Sequence, residues 1–502
     1  MTSSIAIVGA GPRGAGLLER LAASAPELHP DGLDVHLIDP YPAGAGRIWR
    51  HEQSPLLAMN SMAADVTMFT DDSVICDGPI VPGPSLWEWV QTHGRAGDSQ
   101  VHPELREELA SVTAATFPSR RLQSEYLAWV LRHVIETRPD GVRVHLHRTR
   151  ATGLTEDGDT QIVHLQAGPP LRVDSVVLAS GHLDATPTGD ELALAARAVE
   201  SGLRYLPPEQ TTDSDLSVLE PGKIVIVRGM GLAFVDLVVL LFEGRGGRFV
   251  DGEYVASGRE PRLVVGSPRG STYHSKTHYG LKAPRPPLPR FFGPDVVDPL
   301  IAAGDVELRE QAWPHMAKEI AWGWYHELFL GHPYAVTMGW DDFALAYAAL
   351  DWDSAAMHAL IDSAVPDPLD RIDFGSLDRP LDGLTAPDLA ALQPMVRARI
   401  AEDLRQHVDD RHTPHLGAFV AMLSVYGETT RLAGSLSARS RASDMAWWQG
   451  FFNSVASGPP GFRVRQLLAL SRAGFVEFLG AGMWVDVDGD AFSAGSATLA
   501  GA

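Results

Sequence analysis

Residues 5–21, IAIVGAGPRGAGLLERL, limit the fold more than any other stretch of the chain. The apolar run Ile5–Val8 suits a buried parallel strand. It passes directly into Gly9-Ala10-Gly11-Pro12-Arg13-Gly14 and then into a helical pattern with Leu17, Leu18 and Leu21 apolar. This is the pattern of a dinucleotide-binding turn. Gly9 permits the tight turn, Gly11 lets a pyrophosphate approach the backbone, and Gly14 lets the helix pack close to the strand. Gly9, Gly11, Pro12 and Gly14 are therefore the expected cofactor-contacting positions, with the helix N-terminus facing the phosphates. Residues 33–39, LDVHLID, read as the next strand, ending in Asp39, 25 residues after Gly14, where an acid would bind an adenosine ribose. The plainer alternative is a glycine-rich turn in an ordinary α/β domain with a surface Asp.

The 502-residue length calls for two or three domains, and 45% apolar content marks a folded chain. A formal charge of −22 argues against nucleic-acid or anionic-membrane surfaces as partners. The single cysteine, Cys76, removes internal disulfides, CxxC metal sites and the cysteine pair that a flavoprotein disulfide reductase needs. The first apolar run breaks at Gly9, so it does not read as a secretory leader, and no run reaches membrane-spanning length. A cytoplasmic protein with a small-molecule substrate is expected, and homo-oligomerisation stays open.

After Asp39 a Pro/Gly-rich loop leads into WRHEQSPLLAMNSMAADVTMFTDD, in which Asn60 and Ser61 sit among Leu56, Leu57, Met59 and Met62. Such a mixture suits a lid over a flat ring with polar edges, and equally a packed excursion loop. Helices are expected at 85–93 and 119–136, the latter capped by Ser119. Strands are expected at 142–146 and 161–165, joined by a polar turn, and at 173–179. The last ends at Ser180-Gly181-His182, where small residues let the backbone lie against a cofactor or make a tight turn.

A second strand, turn and helix lies in KIVIVRGMGLAFVDLVVLL, residues 223–241. Gly229 and Gly231 occupy the first two glycine positions, while Phe234 stands at the third. Two such turns imply two dinucleotides, although an ordinary βα unit fits the second as well. The strand at 262–265 ends in Gly266-Ser267-Pro268-Arg269, with Arg in place of an acid, which suits the 2′-phosphate of NADPH. Between Ser267 and Arg290 lie Arg269, Lys276, Lys282, Arg285 and Arg290 with no acid. This island reads as an attractor for an anionic cofactor or substrate, or as a solvated loop. His274 and His278 have metal-like spacing, but Pro and Gly argue against a helix there and no third ligand is evident, so no metal is expected. The stretch 305–410 reads as helical, with Trp322, Trp324, Tyr325, Trp340 and Trp352 more consistent with core than with a substrate box. Residues 363–384 read as an acidic connection. A helix at 463–473 stopped by Gly474 precedes a strand at 475–479, and the final residues are expected to fray.

These segments together resemble the FAD/NAD(P)-binding family of two-dinucleotide flavoproteins, distantly similar to lysine and ornithine N-monooxygenases. The likeness rests on IVGAGPRGAGLLERL, DPYPAGAGRIWRHEQSPLLAMNSMAADVTMFTD, FPSRRLQSEYLAW, VVLASGH, IVIVRGMGLAFVDLVVLL and SGPPGFRVRQLLALSRAGFVEFLG. It implies an α/β fold with two Rossmann-like domains, FAD-binding at 1–215 with a lid at 41–118 and NAD(P)-binding at 216–310. A helical insertion at 311–455 and a C-terminal segment, 456–502, returning to the FAD domain complete that expectation. By the same likeness Gly9, Gly11, Gly14 and Asp39 hold FAD, the Arg47 and Asn60-Ser61 region approaches it, and Gly181 closes the pocket. Gly229, Gly231 and Arg269 serve the nicotinamide cofactor. Relatives of this kind continue well past the strand at Phe475, so a shortened final flavin-facing segment is expected.

The activity so implied is an NADPH-consuming FAD monooxygenase. Hydride passes to flavin, O₂ adds, and the hydroperoxide transfers oxygen to a small amine or amino-acid-like substrate. Because the flavin carries the chemistry, no side-chain triad is required, and none is apparent. His182 and Lys276 are the candidates for a catalytic group, and a turn histidine and a solvated lysine are their plainer readings. An FAD oxidoreductase without oxygen transfer and a non-catalytic nucleotide-binding sensor remain the alternatives.

Overall fold

The computed structural model describes residues 2–74, 76–95 and 101–500. It divides into two compact units, Met1–Pro187 with Pro208–Ser214, and Thr188–Pro207 with Asp215–Ala502.

The first unit is built on a parallel sheet in the order β3-β2-β1-β7. Its strands are β1 (Ser3–Val8), β2 (Leu33–Ile38), β3 (Val142–His147) and β7 (Ser175–Leu178). β1 is central, with Ile7 opposite Leu37 on one side and Val177 on the other. Helix α1 (Pro12–Leu28) begins with Pro at its first turn and buries Gly14, Ala15, Leu18, Ala22 and Ala25. Pro suits that position because it lacks the N–H that a first turn leaves unpaired. Two short helices, α2 (Leu86–Trp89) and α3 (Arg106–Ser111), lie in the excursion before α4 (Arg120–Thr137). Ser119 Oγ accepts from the Leu122 amide at 3.1 Å and fixes the start of α4. Along α4, Leu122, Tyr126, Leu127 and Val130 bury an apolar face in the core that also holds Ile7, Leu18, Leu37 and Trp89.

The strands expected at 142–146 and 161–165 form, but what joins them is a further strand and not only a polar turn. β3 joins the parallel sheet, and β5 (Thr160–Leu165) pairs instead with β4 (Ala151–Asp157) and β6 (Leu171–Val173) in an antiparallel meander. β4 reads ATGLTED, with a single large apolar residue, so it lacks the alternation that marks a strand.

In the second unit, α5 (Gly189–Glu200) is capped by Thr188, and β8 (Ile224–Arg228) feeds α6 (Leu232–Leu241). A hairpin of β9 (Arg248–Val250) and β10 (Glu253–Val255) precedes β11 (Arg262–Ser267). A helical block follows: α7 (Pro294–Ala303), α8 (Trp313–Gly331), α9 (Trp340–Ala349), α10 (Ala355–Ala364) and α11 (Phe374–Asp378). It continues through α12 (Leu389–Val408), α13 (Pro414–Leu432), α14 (Met445–Ala456) and α15 (Gly461–Arg472). Trp322, Trp324 and Tyr325 on α8 are buried in its core, and the stretch expected as a connection contains α11. A β-carbon on Gly323 would lie 2.4 Å from the Gly417 carbonyl oxygen, and one on Gly417 would lie 2.3 Å from that of Gly323. The backbones of α8 and α13 therefore touch where they cross.

The C-terminal segment departs from expectation. β12 (Val476–Ala481) does not return to the first domain but pairs in parallel with β11, giving a sheet in the order β12-β11-β8. Nor does the tail fray among the described residues. β13 (Trp484–Asp488) and β14 (Ala491–Gly495) form a hairpin, Ser496 and Thr498 are buried, and the Ala500 amide donates to the Ala386 carbonyl at 2.9 Å. Small residues carried the expectation of fraying, yet here they allow close packing: a β-carbon on Gly480 would lie 1.8 Å from Thr498 Oγ1. Among the described residues no helix is long and apolar enough to cross a membrane.

Candidate nucleotide sites

The first turn carries its constraints in the backbone. Gly9 has φ +110°, and a β-carbon there would lie 2.3 Å from the Ala179 carbonyl oxygen, at the end of β7. One on Gly14 would lie 2.1 Å from the Gly9 oxygen, so only glycine lets α1 rest on the turn. Gly11 is the N-cap of α1, and no side chain caps it. The exposed N–H groups and dipole of that first turn suit a pyrophosphate. At Gly11 the close neighbour is another glycine: a β-carbon on Gly46, at φ +63°, would lie 2.9 Å from Gly11 Cα. The Gly44 amide donates to the Ala10 carbonyl at 2.7 Å, so residues 44–46 cover the turn. These two glycines stood in the sequence as a Pro/Gly-rich loop, with nothing local to show what they would pack against.

Asp39 sits where the pattern puts it. Its Oδ2 accepts from the Ala10 amide at 2.8 Å and its Oδ1 from the Tyr41 amide at 2.9 Å. The carboxylate is thus aimed by the turn itself, and each oxygen keeps a further lone pair for a ribose hydroxyl. Gly181, at φ +67°, and His182 are exposed beyond β7, beside the segment that Gly9 touches. Asn60 and Ser61 are half-buried on a segment where the Met59 amide donates to the Pro118 carbonyl at 2.8 Å. Arg47 is ion-paired with Asp184 at 2.9 Å and with Asp213 at 3.2 Å, and Arg50 also reaches Asp213. Any approach of Arg47 to a flavin would have to break those pairs.

The second turn has the same outline and looser packing. Gly229 has φ +118°, yet a β-carbon there would meet nothing within 4 Å. Gly231 caps α6 with no side-chain cap, and the Tyr273 hydroxyl lies 3.0 Å from where its β-carbon would be. Tyr273 gave no sequence signal, being 42 residues away in a loop. Phe234 is buried in the core of this unit with Val238, Leu263 and Val265.

The cations expected around this turn have other tasks. Arg269 Nε donates to the Asp378 carbonyl at 2.9 Å and to its Oδ1 at 3.0 Å. A role on a 2′-phosphate would have to break this contact. His274 Nε2 faces the neighbouring Leu377 carbonyl at 2.9 Å, and Arg399 Nη2 reaches that of Ser376 at 3.4 Å. Three cationic donors thus hold the last carbonyls of α11, where a helix dipole favours positive charge. Lys276 Nζ donates to the Ala456 carbonyl at 2.5 Å, at the end of α14, and Lys282 pairs with Asp410 at 3.3 Å. Lys276, Arg269 and Lys282 of the basic island are thus each engaged by groups within the second unit.

His274 is a buried imidazolium. Its Nδ1 lies 2.6 Å from Asp403 Oδ1 and its Nε2 faces a carbonyl, so both nitrogens must donate. Burial alone would neutralise the ring, but the charge and hydrogen bond of Asp403 hold its pKa above the ordinary value. Asp403 in turn stays ionised well below the usual carboxylate range, although burial opposes this. Burial pushes His407 and, further, His415 below the usual histidine value. With both nitrogens donating, His274 has no lone pair to give a metal.

The family described as FAD-NAD(P)-binding matches residues 6–183. An L-aspartate N-monooxygenase (nitrosuccinate-forming) from Streptomyces davaonensis is 32% identical over 523 aligned residues, covering 99% of this chain and 80% of that protein. The nitrosuccinic acid synthase of Aspergillus oryzae is 34% identical, covering 95% of this chain and 73% of its own. The chain belongs to the N-monooxygenase family of FAD- and NAD(P)-binding flavoproteins. A solved ornithine N-hydroxylase from Kutzneria sp. 744 aligns with a TM-score of 0.33 and 17% identity, over 62% of this chain and 61% of its own. In this N-monooxygenase the first turn fits FAD on three counts: an uncapped helix start, glycines that no side chain can replace, and an acid held at the end of β2.

Proposed function

We propose that the protein is an NADPH-consuming N-monooxygenase of a small dicarboxylic amino acid, with L-aspartate the leading substrate. Likeness over nearly the whole chain to nitrosuccinate-forming relatives carries this reading, supported by the intact first turn. FAD supplies the electron transfer and oxygen chemistry when bound. The chain's own part is to orient it. The amides at the start of α1 receive the pyrophosphate, Asp39 takes the ribose hydroxyls, and the end of β7 with Gly181 lies alongside. The uncapped start of α6 at Gly231 receives the phosphates of NADPH. Each N–O bond formed consumes one O₂ and one NADPH, the second oxygen atom leaving as water.

The test follows the flavin spectrum of the purified protein, then oxygen uptake with NADPH and L-aspartate, L-ornithine or L-lysine. A yellow protein whose oxygen consumption yields N-oxidised product with L-aspartate and not with the longer diamines agrees with the reading. A flavin that NADPH reduces, but whose reoxidation yields no N-oxidised product from any of the three, overturns it.

A further inference from the structure

In the first unit, His51, His102 and Glu125 bring three candidate metal-binding atoms within 4.8 Å of one another. They come from different segments: His51 from the loop after Arg50, His102 from the turn before the 3₁₀ segment Pro103–Leu105, and Glu125 from α4. His51 Nε2 lies 2.6 Å from Glu104 Oε1. A carboxylate only accepts, so this nitrogen carries a proton, and Nδ1 is the ring atom open to a further ligand. That Nδ1 is buried and has no hydrogen-bond partner. It faces Glu125 Oε1 at 3.5 Å, and His102 Nε2 faces the same oxygen at 3.6 Å. Glu125 is itself buried.

A buried ring nitrogen without a hydrogen-bond partner, facing an anionic oxygen, is a place where a bound cation would satisfy both atoms. Two ligand atoms each about 2.1 Å from one tetrahedral ion stand about 3.4 Å apart, close to both separations here. Two imidazoles and a carboxylate are the donor set of a borderline divalent ion such as Zn²⁺. Glu104 on the far nitrogen of His51 supplies the outer carboxylate that orients a metal-bound histidine. Arg121 Nη1 lies 3.4 Å from Glu104 and its Nε donates to the Gln53 carbonyl at 2.7 Å. The two rings are stacked, with centroids 3.7 Å apart. Coordination by both therefore requires His102, whose side chain is half exposed, to turn about its Cα–Cβ bond.

The other candidate clusters differ in kind. Both nitrogens of His274 face acceptors and His407 Nδ1 faces the Asp403 carbonyl at 2.8 Å, so the two ring nitrogens nearest the Asp403 carboxylate donate and offer no lone pair to a metal. In the Glu307, Glu310 and Asp444 group, Arg439 already bridges the two glutamates.

We infer that His51, His102 and Glu125 bind a divalent ion of the Zn²⁺ class, with water in the remaining position, and that the ion ties the loop around His51 and the turn at His102 to α4. The full-length flavoprotein, stripped with a chelator and dialysed, is titrated with ZnCl₂ against a chromophoric zinc indicator, and its thermal midpoint is followed. One tight zinc per chain and a raised midpoint are expected. His102→Ala, at a half-exposed position, abolishes both, and Glu104→Gln weakens binding by about tenfold to a hundredfold. His358→Ala, on an exposed face of α10, changes neither. Zinc stoichiometry that survives His102→Ala, or a wild-type protein that takes up no zinc with its midpoint unmoved, overturns the inference.

Discussion

The two glycine turns share an outline and differ in what holds them. At the first, every constraint bears on the turn's own backbone: Gly14 against Gly9, Gly9 against Ala179 at the end of β7, Asp39 against the Ala10 amide. At the second, the same conformation at Gly229 is surrounded by open space, a phenylalanine fills the third position, and the arginine after β11 grips Asp378, 109 residues away. One turn is a closed unit of backbone contacts. The other is braced from outside by side chains of the helical block. The fingerprint is thus a steric requirement in the first case and only a topological one in the second.

The largest expected effect lies in the outside bracing. His274→Gln leaves Asp403 buried without its cation and should destabilise the second unit by about 3–5 kcal/mol, read by urea unfolding. Because its folded pKa is raised, the stability His274 contributes is complete below its unfolded value of about 6.5 and is lost as pH rises through the folded value. The wild type should therefore lose stability on the alkaline side of pH ~6.5, and His274→Gln should lack that decline. A parallel decline in both proteins would show that His274 is not the buried cation described here.

Phe234→Ala should cost about 3–5 kcal/mol, because the ring is buried in the core of its unit. If replacing it left stability unchanged, the second turn would tolerate an ordinary glycine pattern and the contrast would weaken. Gly9→Ala and Gly229→Ala sharpen the comparison further, since both residues have nearly the same positive φ. Strain at φ is then common to both, and Gly9→Ala should exceed Gly229→Ala by about 1–3 kcal/mol, the cost of crowding Ala179. Gly9→Ala should also purify with less flavin, measured as the visible absorbance relative to that at 280 nm. The smallest effect is expected for Arg269→Ala. If its guanidinium serves Asp378, the ratio of KM for NADPH to KM for NADH should change by less than about threefold. A shift of tenfold or more would return Arg269 to the 2′-phosphate.

The same contrast explains what the sequence discloses. Gly9 to Asp39 is legible because, Ala179 apart, its partners lie within the same strand-turn-helix-strand unit and each residue type answers a local steric or hydrogen-bonding need. The cap at Ser119, the helix around Trp322 and the strand after Gly474 are legible for that reason as well. The partners of Arg269 and Lys276 are not legible, because a basic loop looks alike whether its charges face a ligand or a carbonyl. Asp378, Asp403 and Ala456 lie far away in sequence and carry no mark of their partnership. β4 is hidden by its polar composition, and the His51, His102 and Glu125 cluster by having its members on three separate segments.

The edge position of β12 bears on how the chain is made. The parallel sheet of the first unit can close as soon as Leu178 leaves the ribosome, because all four of its strands precede that point. β11 cannot gain its second neighbour until the whole helical block has been synthesised and Val476 has emerged. At ~5–20 residues per second that interval lasts on the order of tens of seconds. Throughout it, β11 presents an unpaired edge that another nascent chain could join. Expression yield should therefore respond to translation speed and chaperone supply through the second half of the message, with the flavin-binding half already folded.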